Sequence, residues 1–230
     1  MFYKTSNLNT FTTNLDSLIN GSSMFSYSNL IGFGTSLHNL QNGKGMFFNT
    51  KLQSIESDFS NLIDGKNMFY NAPLHSIVSE SGFPKLENGQ YMFINTDLQN
   101  FDFNLSNLKD GTNMFKGSDL VTFTSNLWSL KTGNQMFYLT NLNKFTNNLN
   151  LLETATQMFS YTPLESFSSE MGSLKHGQKM FDECFKLKTF KTNNLDGLIH
   201  GAEMFKWTSL DEFVYDLPSL VQGMNMFFGS

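Results

Sequence analysis

The sequence lacks arginine altogether, since its 15 basic residues are all lysine, and its formal net charge is −5. Arginine makes bidentate contacts to phosphates and base edges, so we expect no nucleic-acid partner. A single cysteine, Cys184, excludes an intrachain disulfide and leaves the redox compartment open. No apolar run approaches the ~20 residues of a membrane span, and no charged-then-apolar leader precedes the first repeat. We therefore expect no membrane insertion and no signal peptide in this chain.

What the sequence has instead is a repeat built on Met-Phe. The pair occurs ten times from Met24 to Phe227, at intervals of 22 or 24 residues. A fixed period of this length is typical of solenoids, whose units bury their apolar face only by stacking. The sequence therefore predicts a single solenoid domain over residues 1–230, with about ten coils of 22 to 24 residues. Because both ends fall on the same repeat feature, we expect this domain to belong to a longer chain or an assembly. Representative pairs are Met24 and Phe25, Met46 and Phe47, Met68 and Phe69, Met114 and Phe115, and Met136 and Phe137.

Four further columns are apolar when each coil is numbered from its Met. Position 7 is Leu, position 10 is aromatic or β-branched, position 14 is apolar, and position 17 is always Leu, as at Leu62. Side chains at the same phase of successive coils stack on their own copies, so these columns predict a core of Phe and Leu ladders. Their spacing also suits helices, but the coil is too short for two helices and Gly interrupts it at position 20.

Two polar columns predict the bends of the coil. Position 20 is Gly in nearly every coil, as at Gly43 and Gly65, and Asn or Asp precedes it in five coils. Gly accepts positive φ and Asn or Asp bonds locally to the backbone, so we interpret this pair as a corner. Position 13 is mostly Asn or Asp, as at Asn104 and Asp58. It predicts a ladder of side chains that bond to one another and to the backbone at a second bend.

The repeat resembles the BspA-like leucine-rich repeats and the related Met-Phe-rich surface-protein repeats. The ninth coil carries the resemblance best, because Met180 to Phe190 reads Met-Phe-Asp-Glu-Cys-Phe-Lys-Leu-Lys-Thr-Phe and reproduces the Phe-x-x-Cys-x-x-Leu-x-x-apolar register. The resemblance implies a leucine-rich-repeat solenoid of right-handed coils. Each coil would have a short parallel β-strand near positions 7 to 11, a second extended segment near 14 to 18, and a short helical turn carrying Met-Phe.

The same resemblance implies a function outside catalysis. Members of such families are mostly surface or secreted proteins implicated in adhesion and host-protein binding, and relatives occur in parasites, phages and large viruses. An extracellular, cell-surface or virion location is therefore expected, although the compartment itself is unknown. The family has no catalytic residues to carry over to this chain.

Candidate chemistry is sparse in the sequence. His176 and His200 share position 19 in consecutive coils, so we expect them to stack, with Glu203 nearby. Two ligands do not make a metal site, and Cys184 falls in a packing column of the family. No nucleophile elbow or phosphate-binding loop is present. We predict no catalytic residue, no cofactor and no metal ligand.

Two surfaces are candidates for binding. Positions 8, 9, 11 and 12 predict a mostly uncharged strip on the strand face, and solenoids characteristically bind along such faces; the alternative is a strip that is simply solvated. The second surface lies near the carboxyl end, where aromatic and apolar residues predict docking onto another subunit or a further domain. Its residues are Trp207, Val214, Tyr215, Phe227 and Phe228.

These observations predict a non-catalytic leucine-rich-repeat protein that binds a protein or glycan at a cell surface or on a virus particle. The alternative is an architectural subunit of a virion or filament, assembled through the ends of the solenoid. A third and more distant alternative is a metal protein or enzyme that uses His176 and His200.

Overall fold

A computed structural model describes residues 2–230, so Met1, which opens the first repeat, lies outside the described residues. Nine short parallel strands repeat along the chain, and each places a core residue at position 10 opposite the equivalent residue of its neighbour, as in Phe101 against Phe123. This confirms the predicted short strands. The strands are β1 (Thr10–Phe11), β2 (Gly32–Phe33), β3 (Ser54–Glu56), β4 (Ser76–Val78), β5 (Asn100–Phe101), β6 (Thr122–Phe123), β7 (Lys144–Phe145), β8 (Ser166–Ser168) and β9 (Thr189–Lys191).

The strands are grouped into four small sheets, with the orders β1-β2, β3-β4, β5-β6 and β7-β8-β9. The structure has nine strands, one fewer than the ten predicted coils, and these strands enclose about eight complete turns. The difference lies in the last repeat, where Phe213 keeps its column but the chain around it forms no strand. The solenoid of 22-to-24-residue coils is otherwise as predicted.

The second extended segment does not lie at positions 14 to 18, so that prediction is wrong. This stretch turns instead, as when the Leu18 amide donates to the Leu15 carbonyl at 2.8 Å and Leu40 donates to Leu37 at 2.9 Å. A second parallel ladder exists, but it consists of single bridged residues at position 19, from Asn20 to Gln222. Side chains at positions 13 and 19 accept hydrogen bonds from amides two residues later, which bends the chain on both sides of the short turn.

The Met-Phe segment is not helical, which corrects a second expectation. It consists of successive β-turns, in which the amides of Met46, Phe48 and Thr50 donate to the carbonyls three residues earlier at 2.9 to 3.3 Å. Positive φ at Gly45 (56°) and Asn49 (52°) interrupts any helix. The intervening amides point along the stack, so Phe47 donates to the Met68 carbonyl at 2.9 Å. The segment is therefore a third hydrogen-bonded ladder between coils, and we call its outer surface the turn face.

The core is a double ladder of aromatic rings flanked by leucine. Phe residues at position 2 stack on one another from Phe2 to Phe227, with ring centroids 5.3 to 5.8 Å apart and nearly parallel planes. The strand Phe column meets these rings edge-on, as for Phe123 and Phe137 at 4.9 Å. Offset and edge-on geometry are both favourable for aromatic pairs. The representative Met and Phe residues and Leu62 are buried in this cluster, which runs continuously from Phe11 to Met226.

The repeated glycine has a different role from the predicted corner. Gly43 has no positive φ, but a Cβ placed on it would lie 2.8 Å from Sδ of Met68, in the next coil. Gly65 is equally close to Met92, at 2.7 Å. Glycine is therefore needed for the close approach of the methionine in the second Met-Phe pair that follows it, and the left-handed residue of the corner comes two positions after the glycine. Near Ala155, which replaces Gly in this column, the methionine lies further away. A Cβ placed on Gly177 would be 3.3 Å from the nearest atoms of Met204.

The position-13 side chains bond mainly to the nearby backbone. Oδ1 of Asp58 accepts from the amide of Ser60 at 2.8 Å, and Asn148 bonds likewise to Asn150. Asn148 also donates to Glu170 in the next coil at 2.9 Å. A repeated amide-to-amide ladder occurs instead at position 4 of the turn face, where Asn71 donates to Asn49 at 3.0 Å and Asn95 donates to Asn71 at 2.8 Å.

Candidate binding surfaces

Two grooves follow the bend beside the strands. The first is a cavity of about 520 Å³ between three successive coils, lined by residues 34–36, 56–58 and 78–81. The second is about 420 Å³ and is lined by residues 146–148, 168–170 and 191–193. Both are formed by positions 11 to 13, because the chain turns away from the strand there and leaves a recess between stacked coils. We call them the strand-side grooves.

The first strand-side groove is acidic. Glu56, Asp58 and Glu80 line it, and Nδ1 of His38 lies 2.9 Å from Oδ2 of Asp58. Partial burial raises the pKa of Asp58, but hydrogen bonds from Ser81, His38 and Ser60 outweigh it and lower the pKa from 3.8 to about 2. The carboxylate therefore stays charged across the physiological range of pH.

The predicted strip on the strand face is narrower than expected. Positions 8, 9 and 11 are exposed or half-buried, as at Gln53 and Glu56, but position 12 is buried at Ser57 and Ser125. Ser57 turns inward because its hydroxyl accepts from the Leu37 amide at 2.9 Å and donates to the Thr35 carbonyl at 3.2 Å. Position 12 thus satisfies backbone groups of the preceding coil. The remaining strip is in most coils Ser, Thr, Asn or a charged residue.

The turn face carries a row of aromatic side chains that the repeat pattern did not predict. We call Tyr3, Tyr27, Phe48, Tyr70 and Tyr91 the aromatic row. Its first four rings are 5.8, 5.2 and 4.8 Å apart in succession. A signal was present in the sequence, because aromatic residues recur directly beside Met-Phe, but those positions contain no core column and vary from coil to coil.

The predicted carboxyl-end surface is not one patch. Trp207 and Phe228 meet edge-on at 5.3 Å on the turn face. Phe227 stacks on Phe205 and is 41% exposed on the outer side of the last coil, while Tyr215 packs against Phe213 and accepts a hydrogen bond from the Thr192 amide at 3.0 Å.

Val214 is isolated from these rings. It is 73% exposed at the strand-face position that follows Phe213, whose ring packs into the core cluster. The five residues thus occupy three different sides of the final coil.

The histidines and the cysteine are placed as packing and surface groups. His176 and His200 stack with ring centroids 4.9 Å apart, and Nδ1 of His200 lies 2.9 Å from Oε1 of Gln222. Over residues 2–230, no three His, Cys, Asp or Glu side chains come together in a way that could hold a metal ion. Burial raises the pKa of Cys184 to about 12, and its thiol donates to the Phe159 carbonyl at 3.1 Å. This thiol is therefore not an activated nucleophile.

In the part of the chain that the structure describes, no helix is long and apolar enough to cross a bilayer. The short parallel strands, the stacked leucine and phenylalanine columns and the long groove-bearing sides together define a leucine-rich-repeat solenoid. Proteins of this class are typically non-catalytic binding scaffolds.

The model of the BspA type leucine-rich repeat region matches the chain in six copies, over residues 1–74 and 111–228. These ranges cover most of the sequence, so the chain belongs to the BspA-type leucine-rich repeat family. The unmatched interval contains the two-residue expansion around Ser79 to Pro84, which lengthens that coil to 24 residues. No curated protein and no solved structure matches the chain.

Proposed function

We propose that this protein is a non-catalytic binding protein that recognises a protein or a glycan along its strand side. The observation that carries the proposal is the pair of strand-side grooves, each spanning three coils and lined by hydroxyl, amide and carboxylate groups. Such recesses offer hydrogen-bonding groups on a rigid scaffold, which is what recognition without catalysis requires. The cell surface or a virus particle remains the expected location.

The chemistry of the side chains argues against an enzyme. Nδ1 of His38 is occupied by Asp58, and the Ser60 hydroxyl lies 3.5 Å from the same nitrogen. A serine nucleophile would need the opposite ring nitrogen while the carboxylate holds this one. The Cys184 thiol is buried and protonated. The proposal that His176 and His200 serve a metal has only their stacking in its favour.

The test is binding of the intact chain to defined arrays of purified surface proteins and glycans. Glu56→Lys and Glu80→Lys should abolish capture of a ligand held in the acidic strand-side groove, because they reverse two of its charges. Glu212→Lys is the matched control, since Glu212 is exposed, lines neither groove and, like Glu56 and Glu80, has no ion-pair partner within 4.0 Å among the described residues. Capture that is unchanged by both groove variants would contradict the proposal.

An architectural role through the ends of the solenoid is the second candidate. The outer faces of the first and last coils present the same columns, with Leu8 and Leu15 at one end and Leu217 and Phe227 at the other, all incompletely buried. The amides of Asn225 and Phe227 have no acceptor among residues 2–230, although their counterparts in earlier coils donate to the next coil. A second copy stacked head to tail would continue both ladders, and heterologous contacts of this kind build filaments.

Sedimentation velocity tests this second candidate. Head-to-tail stacking predicts a sedimentation coefficient that rises with protein concentration, and Phe227→Lys should remove that rise by placing a charge in the joint. A single species independent of concentration, in the wild-type chain, would rule out assembly through these faces.

A further inference from the structure

The aromatic row is accompanied by lysines that have no acidic partner. Nζ of Lys4 lies 5.3 Å from the ring centroid of Tyr3, and Nζ of Lys66 lies 5.8 Å from that of Tyr91. Further along the stack, Nζ of Lys116 lies 4.8 Å from the Tyr138 ring. None of these three ammonium groups has a carboxylate within 4.0 Å in the described part of the chain. Each lysine thus forms a cation–π unit with a tyrosine and keeps its charge available.

The turn segments that carry the row contain no acidic residue. The seven successive turn segments from residues 2–5 to residues 134–139 contain four lysines and no Asp or Glu. The fourth lysine, Lys44, is paired with Asp64 at 2.9 Å, at the edge of the face. The row therefore presents a positive strip on a protein whose net charge is −5.

The row also forms one continuous groove. A cavity of about 540 Å³ lies beside Tyr3, Tyr27 and Phe48, and a second of about 510 Å³ lies beside Phe48, Tyr70 and Tyr91. Phe48 and Asn67 line both cavities, so the two are neighbours along the stack. Five coil intervals separate the first turn segment from the one that holds Lys116. At a strand spacing of about 4.8 Å, the groove is about 24 Å long.

We propose that this groove binds a linear acidic polysaccharide that carries uronate groups. The proposal goes beyond the proposed function of the strand side, because it assigns a ligand class to a separate face of the solenoid. Tyrosine and phenylalanine rings present apolar surface to the C–H groups of sugars, the Asn67 and Asn95 amides that line the groove hydrogen-bond hydroxyl groups, and Lys4, Lys66 and Lys116 pair with carboxylates. Pockets that combine apolar walls with few polar groups suit such ligands.

Repetition favours a polysaccharide over an acidic peptide. The first five turn segments each contribute one aromatic ring to the row, and unpaired lysines recur in the first, fourth and sixth segments. A polymer that repeats one chemical unit can use every copy of such a site, whereas a peptide of varied sequence cannot. Single-stranded nucleic acid is disfavoured because the chain contains no arginine and its net charge is −5.

The experiment uses the intact chain and a hyaluronan decasaccharide, in which every second sugar is a uronate, with binding measured by calorimetry. We expect binding that weakens as salt rises. The double variants Lys66→Ala with Lys116→Ala and Tyr27→Ala with Tyr91→Ala should each reduce affinity by about tenfold or more. Tyr161→Ala is the matched control, because Tyr161 occupies the same turn position as Tyr27 and is similarly exposed, at 43% against 48%.

Melting temperatures of all variants serve as the check on folding, and a neutral chitin oligosaccharide of equal length should bind at least tenfold more weakly. Absence of hyaluronan binding, equal binding of the neutral oligosaccharide, or tighter binding of polyglutamate or of single-stranded oligothymidylate would overturn the inference. Hyaluronan binding that survives both row variants but is lost in Glu56→Lys and Glu80→Lys would also overturn it, while leaving the proposed function of the strand side intact.

Discussion

The two halves of the turn face share one backbone but differ in charge. In the amino-terminal half, up to residue 139, the turn segments carry lysine without any carboxylate. In the carboxyl-terminal half, the segments at 178–183 and 202–207 contain Asp182, Glu183 and Glu203, and the last of these lies 2.6 Å from Nζ of Lys206 and 3.6 Å from Nζ of Lys179. Positions facing solvent are therefore free to vary while the core columns repeat.

In the carboxyl-terminal half, acidic and basic side chains of the turn face pair with each other. The hydrogen bond to Lys206 lowers the pKa of Glu203, and the same bond raises the pKa of Lys206. Asp182 is buried with Oδ1 unpartnered in the described structure, and its burial raises its pKa. Lysines there neutralise neighbours, whereas Lys4, Lys66 and Lys116 do not. This difference is the reason for placing an acidic ligand on the amino-terminal half alone.

The largest expected effect tests whether the two halves fold as one unit. Phe137→Ala removes a fully buried ring at the junction, where it stacks between Phe115 and Phe159. We expect a loss of about 3–5 kcal/mol in the free energy of unfolding. The prediction of a single domain over residues 1–230 requires one transition in urea, followed both by circular dichroism and by the fluorescence of Trp128 and Trp207. Two separate transitions in the wild-type chain would instead show that the two halves unfold independently.

A smaller difference in stability between the halves is expected for substitutions in the glycine column at position 20. Gly43→Ala should cost about 1–3 kcal/mol, because the added Cβ would meet Met68 Sδ at 2.8 Å in a close-packed core. Gly177→Ala should cost less, because the nearest atoms of Met204 lie at 3.3 Å. The urea midpoints of the two variants measure the difference. Equal losses of unfolding free energy would show that Met68 moves aside for an added Cβ as easily as the methionines near Ala155 do.

The sequence predicts the core of this solenoid better than its surface and turns. The period and the columns of Leu62 and Phe123 predicted the solenoid and its strands, because a stacked core repeats its residue types. The predicted Met-Phe helix was wrong because residues other than glycine, such as Asn49 and Tyr91, adopt the left-handed conformation there. The residue types therefore do not show where this conformation occurs. The role of Gly43 was missed for a related reason, since its constraint comes from Met68 in the next coil.

The candidate surfaces could be predicted less well. The strand-face strip was located correctly at positions 8, 9 and 11, but Ser57 and Ser125 turn inward to serve backbone groups of other coils. The aromatic row was overlooked because Tyr3, Tyr27 and Tyr70 alternate between two neighbouring positions and form no strict column. Only stacking shows that both positions face the same side. The Phe227 and Phe228 pair was recognised as unusual, but its division between two sides of the coil depends on the turn.

The smallest effect contrasts the pH dependence of Asp58 and Asp182. The lowered pKa of Asp58 means that its carboxylate stabilises the fold above the unfolded value of 3.8, and this contribution disappears as the pH falls to about 2. Because the side chain is partly exposed, we expect it to contribute about 1 kcal/mol. The difference in unfolding free energy between wild type and Asp58→Asn should therefore be constant near pH 7 and vanish in acid.

Asp182 should behave in the opposite sense. Its pKa is raised by burial, so the folded chain favours the protonated form, and the carboxylate opposes folding at neutral pH. Asp182→Asn is expected to stabilise the protein at pH 7, and this gain should shrink as the pH falls through the folded pKa and wild type becomes neutral there as well. Urea unfolding of wild type and both variants from pH 2 to pH 7 measures the two trends. If Asp182→Asn destabilises the protein at pH 7, then Lys206 and Lys179 compensate the buried charge, and the two halves of the solenoid differ less in their electrostatics than the pairing of Glu203 suggests.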